Sequence, residues 1–291
     1  MRGAAGDVDE FEDLRPRLFG IAYRTLGSVA DAEDVVQETW ISWQRVDRAT
    51  VTHPAAYLTK AVSRHALNLL RTRSRQREQY VGPWLPEPID DARLPDEAAE
   101  IADSVGLAML VMLEQLSPKE RVAFVLREVF EVPAAEVAQT LDSTPEAVRT
   151  MVSRARSHIR SGERRFDHDP STHLALAETF ASALRDGDLD AACQVLAPDV
   201  LLVTDGGGKV KAALRPIEGA AKVARFFAGL FEMYGEYSLV PTTLNRQPAL
   251  LVSAGDDVTA VCFEVADGRI ARIWAMRNPD KIAHLRSARP R

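Results

Sequence analysis

Residues 117–160 constrain the fold most, because two helix starts of the same chemistry sit on either side of one short helical run. At Ser117-Pro118-Lys119-Glu120, Ser117 is placed to N-cap, Glu120 to reach back and complete a capping box, and Pro118 fits the first helical position. A second helical run ends at Leu141. The turn Asp142-Ser143-Thr144 then feeds a third helix, opened by Pro145 and Glu146 and running to Arg160. In that helix Val148, Met151, Val152, Ala155 and Ile159 recur at helical spacing and form the stripe expected to be buried. Arg149, Ser153, Arg156 and Arg160 share the opposing face, flanked by Thr150, Arg154 and Ser157. This pattern predicts a helix-turn-helix whose last helix is basic, a shape that enters a DNA major groove with guanidiniums toward guanine edges or phosphates. The competing reading is a surface helix with solvated arginines.

The distribution of charge says more than its sum. A net charge of −6 over 291 residues argues against a simple polybasic nucleic-acid coater. Yet Lys60, Arg64, Arg71, Arg73, Arg75 and Arg77 follow one another with no acid between them. A second basic stretch, Arg149–Arg165, is broken only by Glu163. Between the two lie Glu87, Asp90, Asp91, Asp96, Glu97, Glu100 and Asp103, with Arg93 alone against them. Two basic patches and an acidic connector suggest two DNA contacts on separate modules. The connector could enter a partner's basic channel, fold over the chain's own arginines, or be a plain tether. No apolar run reaches membrane-spanning length and no signal-peptide pattern opens the chain, so a cytoplasmic protein without a membrane segment is expected. Cys193 and Cys262 lack metal-ligand spacing and read as free buried thiols.

The first module, from about Phe11 to Arg77, is all-helical. Leu14, Leu18, Ile21, Ala22 and Leu26 form one stripe, ending at Gly27. Ser28 caps a second helix whose buried set is Val29, Ala32, Val36, Trp40 and Trp43. Its outward face carries Asp34, Glu38, Ile41 and Arg45, beside Gln37. A third helix starts near Pro54 and runs into the arginines. An acidic outer face suits a basic protein partner better than phosphate, although a solvated face is the default.

Asp31-Ala32-Glu33-Asp34-Val35-Val36-Gln37-Glu38-Thr39-Trp40, followed by Pro54-Ala55-Ala56-Tyr57-Leu58 and an arginine-rich helix end, resembles region two of a bacterial sigma factor. Leu116–Leu126 together with Val148-Arg149 and Val152-Ser153-Arg154-Ala155-Arg156 resembles region four. Both in this order match the extracytoplasmic-function group. The resemblance implies a promoter-specificity subunit of RNA polymerase, which is not an enzyme and has no catalytic residue, metal or cofactor. It implies that Asp34, Gln37 and Glu38 dock on the clamp helices of the largest polymerase subunit. His53–Tyr57, Arg64, Asn68, Arg71 and Arg73 would open and hold the downstream promoter element, Asn68 standing where many relatives carry aspartate. Arg149, Ser153, Arg154 and Arg156 would lie at the upstream element, with the flap of the second-largest subunit against the apolar rim.

A minimal sigma factor ends there, whereas this chain continues past a break at residues 162–170. Leu174, Ala177, Phe180, Ala181 and Leu184 predict an amphipathic helix, and Asp188–Leu196 a short one. Strands are expected at Asp199–Thr204, Val210–Pro216, Tyr237–Asn245, Ala249–Ser253, Val258–Val265 and Arg269–Met276. A helix at Gly219–Tyr234 is expected to pack Val223, Phe226, Phe227, Leu230, Phe231 and Tyr234 inward. Asp205–Lys209 reads as a turn and Asp267-Gly268 as a hairpin turn. The fold class is therefore multidomain: two all-α domains, then an α+β module. The order of the last module resembles the cone-shaped SnoaL-like family. The domains are placed at residues 8–80, an acidic linker 81–108, 109–165 and 170–286.

Sigma factors with such a tail share Trp84-Leu85-Pro86-Glu87-Pro88, Asp205-Gly206-Gly207-Gly208-Lys209 and Asn278-Pro279-Asp280-Lys281-Ile282. The resemblance implies regulation by the tail itself, without a dedicated anti-sigma partner. Trp84, Leu85, Pro86, Asp205, Lys209, Asn278, Pro279, Asp280 and Lys281 are the residues assigned to that contact. The prolines exclude a helix at 84–88, so an extended clip is expected; the alternative is a linker with one exposed tryptophan. Residues 206–208 lack the strand–helix setting of a phosphate loop. His173 and His284 lie at the ends of the module, and Asp205, Glu264 and Asp267 are candidate carboxylates, two of them in turns. No acid–base pair can be placed in a pocket, so a non-catalytic clamp is expected, with a ligand role for the cavity left open.

Overall fold

Local capping chemistry explains where the helices begin. The computed structural model describes residues 4–77, 79–90, 106–162, 166–167, 170–235 and 237–288. Asp91, Arg93, Asp96, Glu97, Glu100 and Asp103 of the acidic connector, and Glu163–Arg165 of the second basic stretch, lie outside them. The chain divides into two compact units: Met1–Glu78 with Arg93–Gly162, and Gln79–Ala92 with Glu163–Arg291.

The first unit is all-helical. α1 (Ala4–Leu26), α2 (Val29–Trp43) and α3 (Pro54–Arg77) form its first module. α4 (Leu107–Leu113), α5 (Pro118–Phe124), α6 (Ala134–Thr140) and α7 (Pro145–Gly162) form the second. Ser28 caps α2 through the Asp31 amide, and Ser117 with Glu120 closes a full capping box on α5. α5 runs on into one π-helical turn, Val125–Val129. Phe11, Leu18, Ile21, Trp43, Leu58 and Val62 fill the first core. The buried face of α2 differs from expectation. Val35 and Thr39 are buried while Val29 and Trp40 are half-buried, and Trp40 instead lies against Phe11 at 4.8 Å between ring centroids. Thr39 is accommodated because its hydroxyl donates to the Val35 carbonyl at 2.7 Å.

The second unit wraps helices around one sheet. α8 (Pro170–Arg185), α9 (Leu189–Gln194) and α10 (Ala220–Tyr234) pack on strands β1 (Phe166–Asp167), β2 (Leu196–Asp205), β3 (Ile217–Glu218), β4 (Ser238–Leu244), β5 (Gln247–Ala254), β6 (Asp257–Ala266) and β7 (Arg269–Met276); α11 (Pro279–Ile282) follows β7. The strand order is β3-β2-β7-β6-β5-β4, with β1 added to β6. Among the described residues only the β2–β7 pair is parallel. Asp267 and Gly268, at φ 52° and 70°, make the two-residue β6–β7 turn that suits the twist of the strands. Phe180, Leu196, Val200, Phe263, Ile270 and Ile273 lie at the centre of the core.

Four expectations about this unit are corrected. No strand runs over Val210–Pro216; the returning strand is only Ile217–Glu218, paired with Leu201 and Leu202. The Thr204 hydroxyl accepts from the Ala213 amide at 2.7 Å and donates to its carbonyl at 3.1 Å, satisfying both groups without a ladder. The second short helix stops at Gln194, and Leu196 already belongs to β2. Asp205 is not a turn residue but the fully buried last residue of β2. Cys193 is half-buried rather than buried, and Cys262 is buried as expected. Among the described residues no helix is long and apolar enough to cross a membrane.

Candidate functional site

In the helical unit, sequence period alone sets which side chains of α7 face outward. Val148, Val152, Ala155 and Ile159 are buried, and Arg149, Ser153, Arg154 and Arg156 are exposed on the opposite side. Arg149 pairs with Glu146 at 3.2 Å and Arg156 with Glu128 at 2.6 Å. In both pairs the arginine is exposed, so each holds little free energy. On α2, Asp34, Gln37 and Glu38 are exposed together, and a Glu38 carboxylate oxygen lies 3.0 Å from His65 Nδ1.

The candidates on α3 are less uniform. Asn68 and Arg71 are exposed. Arg73 binds the buried carboxylate of Asp31, whose pKa is raised because burial outweighs that guanidinium. Arg64 reaches across to the second module. Its guanidinium donates to the Thr140 carbonyl at 3.2 Å, the Gln139 carbonyl at 3.1 Å and the Asp142 carboxylate at 2.5 Å. Thus the turn that precedes α7 is tied to the helix expected to hold the downstream element. Deeper in the same seam, Arg121 is buried against Glu114 and donates to the Arg24 carbonyl at 3.4 Å; burial pushes its pKa down to about 9. Arg17 donates to the Phe130 carbonyl at 3.0 Å. Arg17 and Arg121 escaped the sequence reading because helical period assigns a charged residue to the outer face.

In the second unit the strap of residues 79–90 closes on the sheet. Asp205 is the hub: it accepts Tyr80 Oη at 2.6 Å, the Leu85 amide at 2.9 Å, Lys281 Nζ at 2.7 Å and the Gly207 amide at 3.0 Å. Lys281 also donates to the Leu85 carbonyl at 2.6 Å and lies 3.9 Å from the Trp84 ring centroid. Asn278 caps α11, with Pro279 at its first position, and donates to Tyr80 Oη at 2.9 Å. Leu85 and Pro86 are buried and Trp84 half-buried. Lys209 pairs with Asp280 at the surface. The strap ends by joining the β4 edge, where Ile89 and Asn245 exchange two hydrogen bonds.

Only glycine fits beneath this clasp. A Cβ on Gly207, at φ 60°, would lie 2.3 Å from the Asn278 side-chain nitrogen. Tyr80, Glu87 and His284 were not assigned to the contact from sequence. Glu87 is buried beside His284 at 3.7 Å, and His284 Nε2 lies 2.9 Å from the Pro88 carbonyl. Their proximity to the proline strap and to Asn278 was the available signal. Behind the clasp is a cavity of about 240 Å³, walled by rings of α10 and by β5–β7. Phe226, Phe227 and Phe231 are half-buried there rather than packed solid.

Residues 11–76 match the family Sigma-70 region 2, and residues 106–159 match Sigma-70, region 4. Over 292 residues the chain is 39% identical to the ECF RNA polymerase sigma factor SigJ of Mycobacterium tuberculosis, covering 94% of this chain and 93% of that protein. The chain belongs to the extracytoplasmic-function sigma factors. The crystal structure of the Mycobacterium tuberculosis SigJ superposes with a TM-score of 0.77 at 37% identity, covering 95% of this chain and 98% of that one. The probable sigma factor SigI of the same species is 28% identical over 94% of this chain and 93% of its own length. As a sigma factor the chain acts with RNA polymerase and promoter DNA in transcription initiation, and it is not an enzyme. Its fold is the expected one in outline, helical sigma regions followed by a sheet-containing C-terminal domain.

Proposed function

We propose that this sigma factor is a cytoplasmic protein regulated by its own C-terminal domain through the strap, with no dedicated anti-sigma partner. The observation that carries the reading is the buried Asp205 carboxylate, which gathers groups from the strap, the glycine turn and α11. A passive linker has no use for a carboxylate at full burial, whose desolvation must be offset by every one of these donors.

In this reading Asp34, Gln37 and Glu38 meet the clamp helices of the largest polymerase subunit, and the apolar rim of the second module meets the flap of the second-largest. Arg149, Ser153, Arg154 and Arg156 face the upstream promoter element. Arg64, Asn68, Arg71 and Arg73 face the downstream one. The hold of Arg64 on Thr140 and Asp142 supports a resting state in which the modules must part before both elements are engaged.

Transcription in vitro with purified core polymerase tests the regulatory part. Trp84→Ala in the full-length chain, and a chain ending at residue 277, should both bind core polymerase as the parent does while altering promoter output. Output identical to the parent from both variants overturns regulation by the tail.

A further inference from the structure

The cavity of the second unit has an apolar body and one charged end. Rings of Phe226, Phe227, Phe231, Tyr234 and Tyr237 line it, and Tyr237 stacks on Phe231 with 4.1 Å between centroids. The charged end is built on Arg277, which is 8% exposed. Its guanidinium donates to the Lys211 carbonyl at 2.7 Å, Tyr234 Oη at 3.0 Å and Asp257 Oδ2 at 3.3 Å, and all three of those residues line the cavity too. Its Nε is buried and has no acceptor. Of the charged lining residues, Arg277 and Lys211 are cationic and Asp257 is anionic, leaving an excess of positive charge. An apolar hollow with one under-satisfied guanidinium is the shape of a small-molecule site, and a carboxylate is the group that best matches an arginine.

The same end of the cavity is one residue away from the clasp. Thr204 lines the cavity and the next residue, Asp205, holds the strap; Arg277 lines the cavity and the next residue, Asn278, holds Tyr80. Thr204 and Asp205 end β2, where successive residues point to opposite faces, and Arg277 and Asn278 follow directly on β7, so adjoining backbone serves both sites. The two stretches are also tied to each other: the Arg277 and Asn278 amides donate to the Asp205 carbonyl at 2.7 and 2.9 Å. A ligand that draws on Arg277 therefore acts on the segment that positions Asn278 and Asp205.

We propose that the cavity binds a small, flat, apolar carboxylic acid, its carboxylate on Arg277, and that occupancy changes the hold of Asp205 and Asn278 on the strap. This deepens the regulatory reading above by supplying the chemical class of the input, and it rests on that reading. Binding shifts the clasp only by the difference in affinity for its closed and loosened forms.

The test uses the free full-length chain, so that its failure is distinct from unchanged transcription by Trp84→Ala. Naphthoic acid should compete with anilinonaphthalene sulfonate at a single saturable site, and naphthalenemethanol, which lacks the charge, should compete poorly. Arg277→Met should weaken naphthoic acid roughly ten- to hundredfold, the size of a lost charge-assisted hydrogen bond. Ala254→Phe, which fills the cavity while keeping the Arg277 side chain, should abolish binding, and it decides the question if Arg277→Met does not fold. Hydrogen exchange at the Leu85 and Ile89 amides should change on saturation with naphthoic acid. Probe binding that is non-saturable or indifferent to Ala254→Phe overturns the site. Equal competition by the alcohol overturns the acid assignment, and unchanged exchange with the site full overturns the coupling.

Discussion

Asp205 accepts four donors at full burial, so no substitution at this position leaves its surroundings satisfied. Asp205→Ala leaves Lys281, itself 11% exposed at its side chain, as a buried charge without its carboxylate. The expected loss is about 3–5 kcal/mol in chemical denaturation of the second unit. Glu264 makes the opposite case, because it is buried without a good partner. Arg272 is 3.6 Å away and one carboxylate oxygen has no hydrogen bond, so burial dominates and pushes the pKa up from 4.5 to about 8. Between those two values the folded chain keeps a proton that the unfolded chain has released. Its contribution therefore weakens stability as pH rises from about 4.5 to 8, and is constant below and above. Glu264→Gln should remove that slope. Thermal melts of parent and variant should converge near pH 5 and separate toward pH 8, with the variant higher; curves that run parallel across this range would count against a neutral Glu264. Of these two carboxylates the sequence marked both by type. It could not rank them, because burial at a strand end beside three glycines looks the same as exposure in a turn.

At the level of elements, α3 and α6 are joined through Arg64. The pair with Asp142 is exposed, 43% and 81% at the side chains, so its net worth is small. The bonds to the Gln139 and Thr140 carbonyls matter more, since they satisfy acceptors at a helix C-terminus. Asp142→Asn, which keeps a residue type tolerant of φ 48°, should cost under about 1 kcal/mol. Arg64→Ala should cost about 1–2 kcal/mol after allowing for exposure, read by urea unfolding of the helical unit. On α7, Arg149→Ala should weaken promoter binding by the polymerase complex by about 1–3 kcal/mol with relaxed selectivity if the side chain reads a base; a smaller, uniform loss assigns it to phosphate. Caps, helical period and the Asp267-Gly268 turn made α2, α5, α7 and β7 legible because each is fixed by neighbours in sequence. The segment Val210–Pro216 was not legible, because its would-be ladder is replaced by a side chain, Thr204, on another strand.

For the whole molecule the consequence lies in where the strap belongs. It precedes the second helical module in sequence, yet residues 79–90 are held by Asp205, Asn245, Asn278 and Lys281, far along the chain. The resemblance to sigma factors placed the modules in order; it could not show that one unit of the fold is interrupted by the other. Two compact units with separate cores should unfold in separate steps, and connectivity predicts which residues share a step. In hydrogen exchange under mild denaturant, the Leu85 and Ile89 amides should open with β2 and β7 and not with α4 or α5, their nearer neighbours in sequence. Asp205→Ala should then lower the opening free energy of the strap and of the β2–β7 pair together while leaving α5 unchanged. If instead the strap amides exchange freely in the parent while β2 and β7 stay protected, the strap is a tether lying on the sheet rather than part of it. In that case the buried carboxylate would need another explanation.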